Sequence, residues 1–233
     1  MFLKISQLDK SWKGFSLKDI SFEIKEGGYF TILGPCGAGK TLLLNAIAGL
    51  YRVDRGNIFL GGRDITFLPA EKRNIGYLFQ RDALFPHLSV KGNIYYGLRY
   101  RRPDMRHLDA ILELLDIKDL LSRRDIVNLS GGQMRKIALA RSLAIKPRLL
   151  LLDEPLSFLD PISRKNVTDN LKSLHQDGMT IIHVSHDIQE MKTFSDKVVV
   201  LVDGAIAQQG TVNEILNHTT QILTERFWGN SHA

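Results

Sequence analysis

Eight residues, Gly34-Pro35-Cys36-Gly37-Ala38-Gly39-Lys40-Thr41, carry the spacing G-x-x-x-x-G-K-[ST] of a phosphate-binding loop. Glycines at these places let successive backbone N–H groups turn inward and form an anion-binding concavity. A helix opening behind the loop adds the positive end of its dipole. In such a loop Lys40 supplies a point charge to the β- and γ-phosphates of a nucleotide, and Thr41 a hydroxyl ligand for Mg²⁺.

A second chemical pair, Asp153-Glu154, follows Leu149-Leu150-Leu151-Leu152. Four leucines in a row suit a central parallel strand buried on both faces. Two acids at the end of such a strand are costly unless paired or bound to metal. Open α/β sheets bind ligands beyond the carboxyl ends of their strands. The pair is therefore expected at the phosphates, Asp153 orienting the Mg²⁺ shell and Glu154 polarising the attacking water. Another apolar run, Thr180 to Val184, leads to Ser185-His186-Asp187, where His186 is placed to reach a γ-phosphate and His183 to pack inside the strand. Finally, Leu129-Ser130-Gly131-Gly132-Gln133 opens a helical stretch. It reads equally as a second anion site or as a plain serine N-cap.

These groups need elements to hold them. Tyr29-Phe30-Thr31-Ile32-Leu33 is a short apolar β-type run ahead of the phosphate loop, and Leu42 to Ala48 is a run of helix formers ended by Gly49. Phe2 to Ile5 and Leu17 to Ile24 alternate as half-buried strands do. Trp12 lies between them in a polar loop, either plugging the core or offering a face to a purine ring. Arg55 to Gly62 and Asn74 to Gln80 read as further strands, and from Val90 to about Leu143 the pattern is helical, with Leu108, Ile111, Leu112 and Leu115 on one face. Lys197 to Val202 and Ala205 to Gln208 flank the hairpin signal Asp203-Gly204, and Thr211 and Glu214 form a capping box.

Composition narrows the class. The 233 residues are 44% hydrophobic, enough for one sizeable core, and no apolar run reaches the roughly 18 residues that span a bilayer. No secretory leader opens the sequence, which predicts a cytosolic chain. One cysteine, Cys36, excludes an internal disulfide framework and a cysteine-based zinc site. The net charge of +6 is spread out apart from Arg99-Tyr100-Arg101-Arg102, which reads as a solvated face rather than a nucleic-acid patch.

With the phosphate loop, the serine-glycine-glycine element and the Asp-Glu strand in this order, the chain resembles the ATP-binding subunits of ABC transporters, from about Phe2 to Leu223. The resemblance implies an α/β fold: a P-loop (RecA-like) core, an antiparallel β subdomain and an inserted α-helical subdomain at about residues 90–143. The whole chain, residues 1–233, is expected to form one ATPase domain; many relatives carry a β-rich regulatory domain after that core, and this chain is expected to depart from them in lacking it. Leu129 to Gln133 matches the family signature. Trp12 resembles the adenine-stacking aromatic, Gln80 the glutamine-loop residue (catalytic and metal-binding), Asp160 the D-loop aspartate and His186 the switch histidine. The nucleotide would thus touch Trp12, residues 34–42 (Gly34 through Leu42), Ser130 to Gln133 and Asp160. Glu154, His186 and Gln80 would act in hydrolysis, and Thr41, Gln80 and Asp153 would hold Mg²⁺.

The resemblance also implies partners. Two copies would pack head to tail around two ATP molecules, each enclosed by the Lys40 loop of one copy and the Ser130 element of the other. Closure would move an integral-membrane permease at the cytoplasmic face, served from outside by a substrate-binding protein, with no nucleic acid involved. Leu84 to Val90 is similar to the stretch of importer subunits that receives the permease's coupling helix. Asp64 to Gly76 and Asn93 to Arg99 are similar to the group importing molybdate, tungstate, sulfate, ferric iron, polyamines or sugars, and among these the molybdate/tungstate subunits look closest. The competing reading is a soluble ABC-type ATPase with a regulatory or nucleic-acid-associated role. Three residues depart from the family pattern: Phe158, where a small residue is usual, Lys136 in place of arginine, and Cys36 in the loop, where alkylation should block activity and MgATP protect.

Overall fold

The computed structural model describes residues 1–100 and 103–217; Arg101 and Arg102 of the basic cluster and the stretch beyond 217 that the resemblance reaches lie outside the described residues. The chain divides into two compact units, one from Met1–Arg73 with the chain from Ile182 onward, the other Asn74–Ile181.

The first unit opens with strands β1 (Leu3–Trp12) and β2 (Phe15–Ile24), an antiparallel hairpin whose last pair is Trp12 opposite Phe15. The connecting loop is only Lys13-Gly14, so Trp12 ends a strand rather than sitting in a loop as the sequence suggested. Strand β3 (Tyr29–Leu33) is buried throughout and leads through the phosphate loop into helix α1 (Lys40–Ala48). Then come β4 (Arg55–Leu60), β5 (Arg63–Asp64) and helix α2 (Ala70–Arg73). Strands β2-β1-β4-β5 form an antiparallel sheet in that order.

In the second unit, β6 (Ile75–Leu78) is followed by helices α3 (Val90–Ile94) and α4 (Met105–Leu114) and by α5 (Gly131–Leu143), with single 3₁₀ turns at Tyr96–Tyr100 and Asp119–Ser122. The helical stretch is thus more interrupted than its periodicity predicted. Leu108, Ile111 and Leu112 are buried on α4 as expected, and Leu115 is buried at its C-cap. Strand β7 (Leu149–Asp153) is fully buried and pairs in parallel with β6, Ile75 against Leu149 through Leu78 against Leu152. Helix α6 (Pro161–Gln176) follows.

Strand β8 (Thr180–Ser185) returns the chain to the first unit, where helix α7 (Ile188–Phe194), strands β9 (Lys197–Val202) and β10 (Ala205–Gly210) and helix α8 (Val212–Asn217) complete it. Here the strand order is β10-β9-β3-β8, with β9 parallel to β3 and antiparallel to β10. The predicted turn has positive φ at both Asp203 and Gly204, and Thr211 and Glu214 exchange the predicted capping bonds. The architecture is the α/β P-loop class, mixing parallel and antiparallel sheet with covering helices.

Candidate functional site

In the first unit the phosphate loop leaves β3 and enters α1 through Gly39, whose φ of 98° lies in the left-handed region. A Cβ there would meet the Phe15 ring at 2.7 Å, so both backbone shape and the near approach of β2 require glycine. Lys40 is buried, and its Nζ donates to the carbonyls of Gly34 at 2.7 Å and Pro35 at 2.8 Å, which holds the ammonium across the loop. Gly34, Ala38 and Gly39 are buried, Pro35 and Leu42 partly so, and Cys36, Gly37 and Thr41 exposed.

The far end of α1 is tied down by a residue the sequence reading missed. Buried Arg73 donates to the carbonyls of Ala46 and Ile47, which close the helix, and to Leu68 and Thr66. Its burial lowers the guanidinium pKa to about 10, partly offset by Asp64.

Trp12 is half-buried, edge-on to Tyr51 with centroids 5.6 Å apart, and Lys10 Nζ lies 5.7 Å from its ring. It is not a core plug. A partly exposed indole held by one ring contact can still stack on a base.

The turn after β8 is fastened by a buried polar network. His183 Nε2 lies 3.1 Å from Glu190 Oε2 and its Nδ1 lies 2.9 Å from the Tyr29 hydroxyl. Ser185 donates to the same Glu190 oxygen at 2.6 Å and accepts from the amide of Asp187. An ionised Glu190 only accepts, so His183 carries its proton on Nε2 and leaves Nδ1 to accept from Tyr29. Burial, with the charge of Glu190 as a second cause, raises the Tyr29 pKa and keeps that hydroxyl a donor. His183 therefore does more than pack. Exposed His186 sits between Ser185 and Asp187, the two residues this network joins.

In the second unit, β7 ends at buried Asp153, and Glu154 follows at positive φ, partly buried. The Glu154 Oε2 accepts from Gln80 Nε2 at 3.1 Å and from Ser157 Oγ at 3.0 Å. The structure thus brings Gln80 and Glu154 together, and adds Ser157, which no sequence signal marked. Asp160 caps α6, its Oδ1 accepting from the amides of Ile162 and Ser163. A hydrogen bond from the Ser163 side chain, and after it these amide bonds, hold the Asp160 pKa below the usual carboxylate value. Phe158, two residues before it, is 90% exposed at a φ of 62°. It fills no gap among the described residues.

The N-cap reading of Ser130 holds locally. Its Oγ accepts from the amide of Gln133, whose side chain accepts from the Ser130 amide, a complete capping box at the N-terminus of α5. Gly131 is exposed, whereas a Cβ on Gly132 would lie 2.3 Å from Ser163 Oγ. A polar cavity of about 260 Å³ opens beside this helix end, with Ser130, Gly132, Gln133, Lys136 and Ser163 in its wall.

Further along α5, two arginines hold the chain that leaves β6. Buried Arg135 donates to the carbonyls of Phe79 and Gln80 at 3.0 and 3.1 Å, and Arg141 to those of Asp82 and Ala83 at 2.8 and 2.7 Å. Asp82 Oδ1 stands 3.2 Å from Arg135 Nε, at ion-pair distance without the alignment of a hydrogen bond. Burial raises the Asp82 pKa against the pull of both arginines and lowers theirs.

Comparison with known proteins agrees with this chemistry. The ABC transporter family model matches residues 17–157. The molybdate/tungstate import ATP-binding protein of Thermococcus kodakarensis is 41% identical over 98% of this chain and 71% of its own length. Among solved structures, the ADP conformation of an ATP-binding cassette of an ABC transporter matches with a TM-score of 0.85 at 26% identity, over 98% of this chain and 99% of the other. A dimeric post-hydrolysis cassette bound to ADP and phosphate matches with a TM-score of 0.78 at 26% identity, over 90% of this chain and 98% of the other. On these grounds the chain belongs to the ABC transporter family and is one of its ATP-hydrolysing subunits.

Proposed function

We propose that this ATPase drives an ABC importer whose cargo is an oxyanion of the molybdate or tungstate type. The observation that carries this reading is the likeness, over 98% of this chain and 71% of the relative, to an import ATP-binding protein for those anions. Leu84 to Val90, similar to the segment that receives a permease's coupling helix, is held by Asn93. The Asn93 side chain bonds the amide and carbonyl of Phe85 and the carbonyls of Leu88 and Ser89. A segment fixed in this way suits a contact that must transmit force. Among the described residues no helix is long and apolar enough to cross a membrane. The proposed location is the cytoplasmic face of the membrane, on the permease.

In this reading the Lys40 loop binds the phosphates of ATP, Trp12 the adenine, and Asp160 takes part in the nucleotide site. Glu154 polarises the attacking water, with Gln80 and His186 assisting. Two copies associate head to tail, and Ser130 to Gln133 of each adds hydrogen bonds to the γ-phosphate held by the other. ATP then favours the closed state because only that state makes those bonds. The exposed Thr41 hydroxyl, the Gln80 amide oxygen and the buried Asp153 carboxylate are hard oxygen donors, a set that suits Mg²⁺ when phosphate and water complete its shell. Bound there, Mg²⁺ supplies charge neutralisation of the phosphates.

The test is recovery of tagged protein from native membranes, followed by binding assays of the co-purifying proteins with molybdate, tungstate, sulfate and polyamines. A multispanning permease with an oxyanion-binding partner is the expected result. A partner that binds only polyamines would overturn the cargo, and recovery of ribosomes or DNA without a membrane protein would overturn the importer.

A further inference from the structure

Strand β6 stops at Leu78, so the carbonyls of Phe79, Gln80, Asp82 and Ala83 have no ladder to join. Unpaired backbone groups in such a place leave a segment loose. Here the two guanidinium groups of α5 take all four carbonyls. Arg135 spans two neighbouring ones, Phe79 and Gln80, which uses the planar fork that lysine lacks. Its third side is occupied by Asp82, three residues from Phe79 on the same segment. The Gln80 backbone is thereby fixed at its carbonyl, and the Gln80 side chain reaches Glu154 Oε2.

We propose that Arg135 is a positioning residue for hydrolysis: it holds the Gln80 backbone so that the Gln80 amide orients the Glu154 carboxylate. This rests on the reading of Glu154 as the group that polarises water. Because α5 is one unbroken helix from Gly131 to Leu143, the same arginine ties the Ser130 element to that carboxylate within one subunit. A shift of the helix start is carried to the glutamine through a single rigid fork.

The full-length protein serves for the test, with ATP hydrolysis measured for Arg135→Lys, Arg135→Gln, Gln80→Ala, the Gln80→Ala/Arg135→Gln double variant and Glu154→Gln. Misplacing a reacting group by about 1 Å costs on the order of 100-fold. Arg135→Gln should therefore lower kcat about tenfold to 100-fold with KM for ATP within about twofold, and Arg135→Lys should fall between it and wild type. In the double variant the Arg135 change should cost nothing further, because its effect passes through Gln80. Independently of turnover, the side-chain amide NMR signal of Gln80 should shift in Arg135→Gln in the same direction as in Glu154→Gln. Wild-type kcat in Arg135→Gln, additive losses in the double variant, or an unmoved Gln80 signal overturns the proposal. Wild-type hydrolysis by Glu154→Gln instead overturns the reading of Glu154 on which it rests, so the two failures are told apart.

Discussion

The Gln80 amide donates to Glu154 Oε2 at 3.1 Å, and Ser157 donates to the same oxygen, so the carboxylate next to buried Asp153 is held from two sides. Two donors on one oxygen fix the direction in which the other can act as a base.

Replacing Glu154 by Gln keeps the shape and removes the proposed base. Hydrolysis should fall about 100-fold to 10,000-fold, the usual contribution of a positioned general base, while ATP still binds and the dimer accumulates closed. Single-turnover hydrolysis with size-exclusion chromatography in ATP measures both. Turnover at the wild-type rate would show that the base lies elsewhere.

Cys36 is exposed within the phosphate loop, four residues before Lys40. A thiol alkylator should abolish ATPase activity in proportion to labelling, and MgATP should slow labelling at least severalfold by covering the loop. Full activity after complete labelling would mean that the loop accommodates a bulky group at this position.

Trp12 keeps an exposed part beside Tyr51. Base–aromatic stacking is worth about 1–3 kcal/mol, so Trp12→Ala should weaken ATP binding roughly tenfold and leave kcat at saturation within about twofold. If the indole serves only the β1–β2 hairpin, calorimetry will instead find unchanged affinity and a lowered melting temperature.

Glu190 is buried and takes hydrogen bonds at the turn that carries His186. Glu190→Ala strands His183 and Ser185, and should destabilise the protein by about 2–4 kcal/mol in urea unfolding. Glu190→Gln keeps an acceptor and should cost clearly less. Equal losses would place the effect in packing rather than in the hydrogen bonds.

Asp104 caps α4 through the amide of His107 and pairs with Lys146, which together lower its pKa to about 2, the lysine contact being the larger cause. A depressed carboxylate stabilises the fold above its unfolded value of about 3.9 and loses that contribution as pH falls through about 2. NMR titration should place the Asp104 carboxyl near 2 in wild type and higher in Lys146→Ala. A midpoint near 4 in both would remove the pair from the acid stability of the protein.

Where a feature depends on neighbours in the chain, the sequence alone determined it. The phosphate loop, the end of α1 at Gly49, the Asp203-Gly204 turn and the Thr211–Glu214 box are local in this sense, because backbone sterics and capping act over a few residues. The apolar runs 29–33 and 149–152 likewise had to be buried strands, and the order of the motifs pointed to the family. Side-chain partners far apart in sequence were decided by the tertiary structure. Gln80 meets Glu154 across 74 positions, Arg135 meets Phe79 across 56, and Tyr29 meets His183 across 154. No periodicity marks such pairs: a buried strand position for His183 or a motif match for Gln80 names no partner, and Arg135 reads as a solvated residue until packing removes water from it. Burial then makes an unmet hydrogen bond expensive, and that cost selects which polar groups must face one another.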